Sequence, residues 1–189
     1  MTPAGPTNFV LHCMTTLRPE VLAKYPNEMF VETGTYDGAG CLVAIQCGFK
    51  HVLSFEISPK KFMDASLRLK DHRNVDLVLG DTYDLFPPLM DRIPYRQCTF
   101  WLDAHSPEDG VRHAHPDKWV RVPIMFELQA IAKHHIKTHT IMIDDLNHFR
   151  SGVFDHIGEE QLRDALRQIN PDYRFVYEDG AGHETILVA

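Results

Sequence analysis

Phe30-Val31-Glu32-Thr33-Gly34-Thr35-Tyr36-Asp37-Gly38-Ala39-Gly40 is the stretch on which the reading of this chain turns. A short apolar run closes on an acidic residue and breaks into a turn with glycines at 34, 38 and 40. Glycines in a strand-to-helix turn let a ligand approach the backbone, and the helix that follows offers unpaired N–H groups to a negatively charged moiety. A tight turn with no ligand is the competing explanation. The spacing is G-x-x-x-G-x-G, not the G-x-G-x-x-G of the dinucleotide fingerprint.

From Met29 onward, short β-branched or aromatic runs alternate with longer amphipathic ones, the pattern of a parallel sheet covered by crossover helices. The strand-like runs are Met29 to Glu32, Val52 to Glu56, Val75 to Leu79, Thr99 to Asp103 and Thr140 to Asp144. Cys41 to Cys47, Pro59 to Lys70, Asp84 to Met90, Val122 to His134 and Glu159 to Ile169 have helical spacing. Ser58-Pro59 is a good helix start, because Ser caps free N–H groups and Pro suits the first turn. Tyr173 to Tyr177 and Glu184 to Val188 read as two strands joined by a Gly-containing turn, so the sheet is expected to end in an antiparallel hairpin. One domain over 28–189 is expected, preceded by an arm over 1–27 that holds one short helix, Pro19 to Lys24. The polar, Gly/Pro-punctuated run HSPEDGVRHAHPDK at 105–118 is expected to be a mobile lid.

Acidic residues recur where these strands end. Glu56 closes the second strand, 24 residues after Glu32, where a carboxylate can accept two hydrogen bonds from a ribose diol. Gly80-Asp81 closes the third, where an Asp can accept from an adenine amino group or simply cap the next helix.

E-x-G-x-x-x-G after strand one, Phe55-Glu56-Ile57 after strand two, Gly-Asp after strand three and an Asp ending strand four together resemble class I S-adenosylmethionine-dependent methyltransferases. The likeness runs from about Met29 to Phe149 and, with the hairpin, to the end of the chain. It implies a Rossmann-like, doubly wound α/β fold: a mostly parallel seven-stranded sheet in the order 3-2-1-4-5-7-6, strand seven antiparallel, with helices on both faces. It also implies that S-adenosylmethionine is bound by Glu32, Thr33, Gly34, Tyr36, Asp37, Gly38, Gly40, Glu56, Ile57, Asp81, Thr82 and Asp103. Phe100-Trp101-Leu102-Asp103-Ala104-His105 and Ile141-Met142-Ile143-Asp144-Asp145 are similar to the paired strand ends of divalent-metal-dependent O-methyltransferases of the catechol and macrolide-sugar types. In those relatives such positions hold magnesium, which carries over onto Asp103, Asp144 and Asp145, and carboxylates suit a hard cation. Caps and an acceptor-positioning Asp103 are the metal-free alternative.

The implied activity is methyl transfer to a small-molecule acceptor, a hydroxyl in the first instance, within EC 2.1.1. A lysine base follows the strand-four Asp by three positions in the catechol-type enzymes; here Ser106 stands there. His105 is then the best candidate base and His148 the second, because imidazole titrates near neutrality. Gly40 occupies a position where relatives often carry a hydroxyl residue, which leaves contact with the cofactor carboxylate to backbone N–H groups. His113 and His115 form an H-x-H pair that suits a transition metal or a solvated loop.

Composition narrows the partners. The 189 residues carry 19 Lys plus Arg against 26 Asp plus Glu, a formal net charge of -7, which disfavours a phosphate-tracking nucleic-acid binder. Cys13, Cys41, Cys47 and Cys98 form no C-x-x-C pair, against zinc-ribbon and thioredoxin readings. With no apolar run near 18 residues and no leader-like N-terminus, a reducing cytoplasm is the expected location. A homodimer through the arm or the hairpin is compatible with the sequence.

Three alternatives stay open. Thr33-Gly34-Thr35-Tyr36-Asp37-Gly38-Ala39-Gly40 also fits the T-G-x-x-x-G-x-G turn of NADP-dependent short-chain dehydrogenases, although no Tyr is followed four residues later by Lys. A non-catalytic cofactor-binding domain and a metal hydrolase using Asp103, His105 and Asp145 complete the set.

Overall fold

A computed structural model describes residues 15–93, 96–105 and 121–189. Residues 1–14 of the expected arm, Ser106 and the rest of the expected lid, with His113 and His115, lie outside the described residues.

Apolar side chains alternate along the central strands and so feed two separate cores. The strands are β1 (Met29–Thr33), β2 (His51–Glu56), β3 (Val75–Leu79), β4 (Cys98–Leu102), β5 (Thr140–Ile143), β6 (Val176–Asp179) and β7 (Thr185–Val188). They form one sheet in the order β3-β2-β1-β4-β5-β7-β6. β1 to β5 run parallel, and β7 is antiparallel to both β5 and β6. This is the expected order, and it departs from the 3-2-1-4-5-6 sheet of dinucleotide-binding folds.

Phe30, Val52, Trp101, Met142 and Ile186 point to one face, where α1 (Pro19–Leu22), α2 (Ala39–Gln46) and α3 (Pro59–Leu69) cover them. Val31, Leu53, Phe100, Ile141 and Leu187 point to the other, under α4 (Thr82–Met90), α5 (Ile124–Lys133), α6 (Leu146–Arg150) and α7 (Glu159–Ile169). Each fully buried Leu, Ile, Phe or Met side chain contributes about 1.5–3 kcal/mol. β1 and β4 are buried at every position, so the middle of the sheet is its most apolar part. Among the described residues no helix is long and apolar enough to cross a membrane.

The elements differ from the sequence reading mainly at their ends. α2 begins two residues earlier, at Ala39, because Gly38 turns left-handed (φ 81°) and starts the helix. β6 begins at Val176 instead of Tyr173: the Tyr173 hydroxyl bonds His139 O at 2.7 Å, and Phe175 lies under the guanidinium groups of Arg163 and Arg167. α6 follows Asp144-Asp145 as the cap alternative expects, although its five residues are too short to display a helical period and Asp145 makes no side-chain cap bond. Leu17, Val21 and Leu22, within the stretch expected to form an arm, are buried in the α2 face.

A pair of histidines closes the opposite, amino-terminal edge of the sheet. Cys98 N–H donates to His139 Nδ1 at 3.1 Å, so Nε2 carries the ring proton and donates to His134 Nδ1 at 2.9 Å. Burial, with His134 nearby, pushes the His139 pKa from 6.5 down to about 4. Folded His139 is therefore neutral where the unfolded chain takes up a proton. Its contribution to stability is complete above pH 6.5 and falls by up to about 3 kcal/mol as the pH drops to 4. Buried acids at the other edge titrate in the same range with the opposite sign, so the difference between parent and variant is the informative quantity. In urea denaturation from pH 7 to 4, His139→Asn is expected to lose less stability on acidification than the parent; parallel curves would show that His139 is not buried neutral.

Candidate active site

The carboxyl ends of β1 to β5 meet on one edge, and the chain reverses direction across the sheet between β1 and β4, where α/β proteins place their ligand crevice. Beyond the strand ends the ladder continues. Gly34 N and Thr35 N both donate to Phe55 O (3.0 and 2.9 Å), Asp103 N donates to Thr33 O (3.1 Å), and Asp144 N donates to Leu102 O (3.2 Å). Gly34 has φ 88°, and a Cβ there would lie 2.6 Å from Asp103 O. Only glycine lets the two strand exits approach so closely.

Glu32 is buried under the start of α2. Its Oε2 accepts from Ser54 Oγ (2.6 Å) and Cys41 Sγ (3.1 Å), and Ser54 Oγ lies 2.5 Å from Thr35 Oγ1. Burial raises the Glu32 pKa from 4.5 to about 7 against the lowering effect of those donors. A Cβ on Gly40 would sit 1.8 Å from Glu32 Oε1, so the absence of a side chain there makes room for the carboxylate.

Backbone N–H groups orient Glu56: Tyr36 N donates to Oε2 (2.7 Å) and Ser58 N to Oε1 (2.8 Å). Ile57 follows, half-buried. Asp37 caps Ala39 N at 3.1 Å and pairs with Arg68, while Lys61 Nζ stands 3.5 Å over the Tyr36 ring. Asp81 caps α4 through Tyr83 N at 3.0 Å, and the buried Thr82 and Thr33 hydroxyls have no hydrogen-bond partner.

Asp103 lines two adjoining pockets. One lies over the glycine turn with Thr15, Glu32, Gly34, Tyr36 and Gly40. The other is bounded by His105, Glu127, Asp144, Asp145, Phe149 and Phe154. Burial, then Asp144, Asp145 and Glu32, hold the Asp103 carboxyl well above the usual carboxylate range. Asp144 is 2% exposed; its Oδ2 accepts from Thr16 Oγ1 and its Oδ1 has no partner. Burial and the neighbouring Asp145 raise its pKa from 3.8 to about 7.

Asp145 occupies the N-cap position of α6 in a left-handed conformation (φ 54°), yet its side chain makes no cap hydrogen bond. Its Oδ1 instead lies 3.6 Å from His148 Nδ1 and its Oδ2 4.0 Å from His105 Nε2. Donor atoms of Asp103, His105 and Asp145 all fall within 4.8 Å of one another, as do those of Asp145, His148 and Glu184. The structure thus brings Asp103, Asp145, His105 and His148 together, while one oxygen of Asp144 is tied to Thr16. The sequence reading missed Thr15, Thr16, Glu127 and Glu184. Glu127 had a signal, an acid in the apolar stripe of α5; the others follow from tertiary placement.

Gly40→Ala is expected to cost about 1–3 kcal/mol by forcing Glu32 out of its bonds. In a Glu32→Ala background the same change should cost under about 1 kcal/mol, read from a double-mutant cycle in urea. Equal costs in both backgrounds would show that Gly40 serves another purpose.

No protein-family model matches the chain, and no curated protein matches it by sequence. Solved structures do. An O-methyltransferase from Bacillus cereus in complex with S-adenosylhomocysteine superposes with a TM-score of 0.59 at 12% identity, covering 90% of this chain and 77% of that one. The O-methyltransferase TomG from Streptomyces achromogenes, in complex with S-adenosylmethionine, gives 0.59 at 13%, covering 90% and 76%. The methyltransferase PaMTH1 from Podospora anserina, bound to S-adenosylhomocysteine, gives 0.55 at 14%, covering 85% and 70%. Strand order, crossover helices and the crevice at the β1/β4 reversal agree with these similarities: the chain has the Rossmann-like fold of class I methyltransferases.

Proposed function

We propose that the chain is an S-adenosylmethionine-dependent methyltransferase acting on a hydroxyl of a small molecule with the help of a divalent cation. The observation that carries this reading is the position of Asp103, in the wall of both pockets. Displacement at a methyl group needs donor and acceptor in line and in contact, and a residue shared by two adjoining pockets marks where they meet. The solved structures named above, two of them called O-methyltransferases, support the same chemistry.

The residues fit both groups. Glu56 presents its carboxylate beside the glycine turn, where Tyr36 N and Ser58 N orient it, and Asp103, His105 and Asp145 bring oxygen and imidazole donors within 4.8 Å of one another, a set suited to a cation, with Asp144 in the same pocket wall. When bound, the cofactor supplies an electrophilic methyl group on a sulfonium, and the cation supplies a charge that eases ionisation of a hydroxyl. Glu56 and Asp37 orient what lies over the turn; Asp103 and Asp145, with Asp144 behind them, would hold the cation. An imidazole beside Asp145, His105 or His148, accepts the acceptor's proton.

Titration calorimetry tests the reading. S-adenosylmethionine and S-adenosylhomocysteine are expected to bind in the micromolar range and NADP(H) not to bind; binding of NADP(H) alone would redirect the search to a reductase. Glu56→Ala should weaken the cofactor by about 10- to 100-fold, as for loss of hydrogen bonds to a charged group. Asp103→Ala should abolish methyl transfer to a panel of hydroxylated acceptors while cofactor affinity stays within about threefold. Unchanged turnover in Asp103→Ala would reduce that residue to a structural role.

A further inference from the structure

We propose that His105 is a ligand of the cation held by Asp103 and Asp145, and that this imidazole selects a borderline transition-metal ion such as Mn2+, Fe2+, Co2+ or Zn2+ over magnesium. The inference rests on the reading of this cluster as a cation site and narrows it.

Three observations point the same way. The donor atoms of Asp103, His105 and Asp145 converge within 4.8 Å, although they arrive from the exits of two different strands. The separation of His105 Nε2 from Asp145 Oδ2, 4.0 Å, is too long for a hydrogen bond and leaves room for an ion that both atoms could reach. The His105 ring is stacked on Phe154 at 5.9 Å and 22°, which fixes the plane of the imidazole while Nε2 faces the carboxylate.

An independent feature indicates that a positive charge belongs here. Asp144, 2% exposed and in the wall of the pocket it shares with Asp103, His105 and Asp145, has a buried oxygen without a partner. Among the described residues no lysine or arginine forms an ion pair with Asp103, Asp144 or Asp145. Carboxylates gathered away from water without a counter-charge are costly, and a cation between Asp103 and Asp145 relieves that cost for both and for the buried Asp144 beside them. Asp145, at the N-cap position of α6 with a left-handed backbone, spends no side-chain oxygen on capping the helix.

The donor set then decides the metal. Magnesium prefers oxygen ligands and loses water reluctantly, whereas first-row transition ions gain from an imidazole nitrogen, least for manganese and increasingly along the row toward copper. With His105 so engaged, His148 on the other oxygen of Asp145 is the imidazole left to accept a proton.

The test uses the full chain freed of metal with EDTA. Mn2+ and Mg2+ are titrated by calorimetry, and Co2+ is followed by its visible absorption, for the parent and for His105→Ala, His105→Asp, His148→Ala and the double variant His113→Ala/His115→Ala. The parent is expected to bind one Mn2+ at least about tenfold tighter than Mg2+. His105→Ala should lose that preference and the Co2+ spectrum with Mg2+ affinity within about twofold, and His105→Asp should restore binding with Mg2+ favoured. Loss of Mn2+ in His148→Ala or in the His113/His115 variant instead, a His105→Ala protein that binds like the parent, or a parent that prefers Mg2+ would each overturn the assignment. S-adenosylhomocysteine titrated into the same samples separates the two readings. Cofactor binding with no effect of His105→Ala leaves methyl transfer standing and removes the ligand; a metal effect with no cofactor binding does the reverse.

Discussion

The backbone contact between the exits of β1 and β4 is the constraint from which the site follows. Thr33 O receives Asp103 N, Phe55 O receives both Gly34 and Thr35, and the missing side chain at Gly34 lets Asp103 O come within what would be 2.6 Å of a Cβ. Three strands are thereby locked together one residue past their ends. The lock gives Asp103 its place between the two pockets and directs the chain from Gly34 over Glu56 before α2 begins. A side chain at 34 would wedge the exits apart and disturb both pockets together, because the close-packed strands beneath have no slack to absorb the shift.

The crevice handles its acids in two ways. Glu32 and Glu56 are met by donors from the protein: a hydroxyl and a thiol for one, two backbone N–H groups for the other. The acids beyond β4 and β5 are not met to the same degree. Asp144 has one oxygen on Thr16 and one on nothing, and Asp103 is held high by burial and by other carboxylates. A fold that satisfies Glu32 so completely has the means to satisfy its neighbours. That it leaves them facing one another is best understood if their partner arrives from outside.

The central sheet was legible because its information is local. Buried parallel strands are short continuous apolar runs, and β1, β2 and β4 each close on a turn or an acid that marks the carboxyl edge. Glu32, Glu56 and Asp103 could be found by walking to the end of each run. The hairpin was legible in kind but displaced at Tyr173, whose hydroxyl is used by His139 from across the fold. α6 is only five residues, and no period shows at that length. Glu184 reaches the His148 cluster from a segment 36 residues away, and Thr16 reaches Asp144 from the far end of the chain. Neither distance is written in spacing, because both depend on how the sheet is ordered. Asp81, by contrast, shows how one pattern can serve two roles: its carboxylate caps α4 through Tyr83 N.

Charge gives the proposed reading a direction. The chain is net negative, and Glu32, Glu56, Asp103, Asp144, Asp145 and Glu184 gather at one edge of the sheet, where Glu32, Asp103 and Asp144, with their raised pKa, ionise more readily when a cation arrives; Lys61 and Arg68 stand beside Tyr36 and Asp37. A low-dielectric crevice of this kind attracts cations and repels anions. A sulfonium methyl donor and a divalent ion are both positive, so each reduces the self-repulsion of the acids and prepares the site for the other. On the proposed reading, a donor that had lost its methyl group would be neutral and would no longer be held by that charge, and the imidazole and the cation would face a neutral hydroxyl in preference to a charged acceptor.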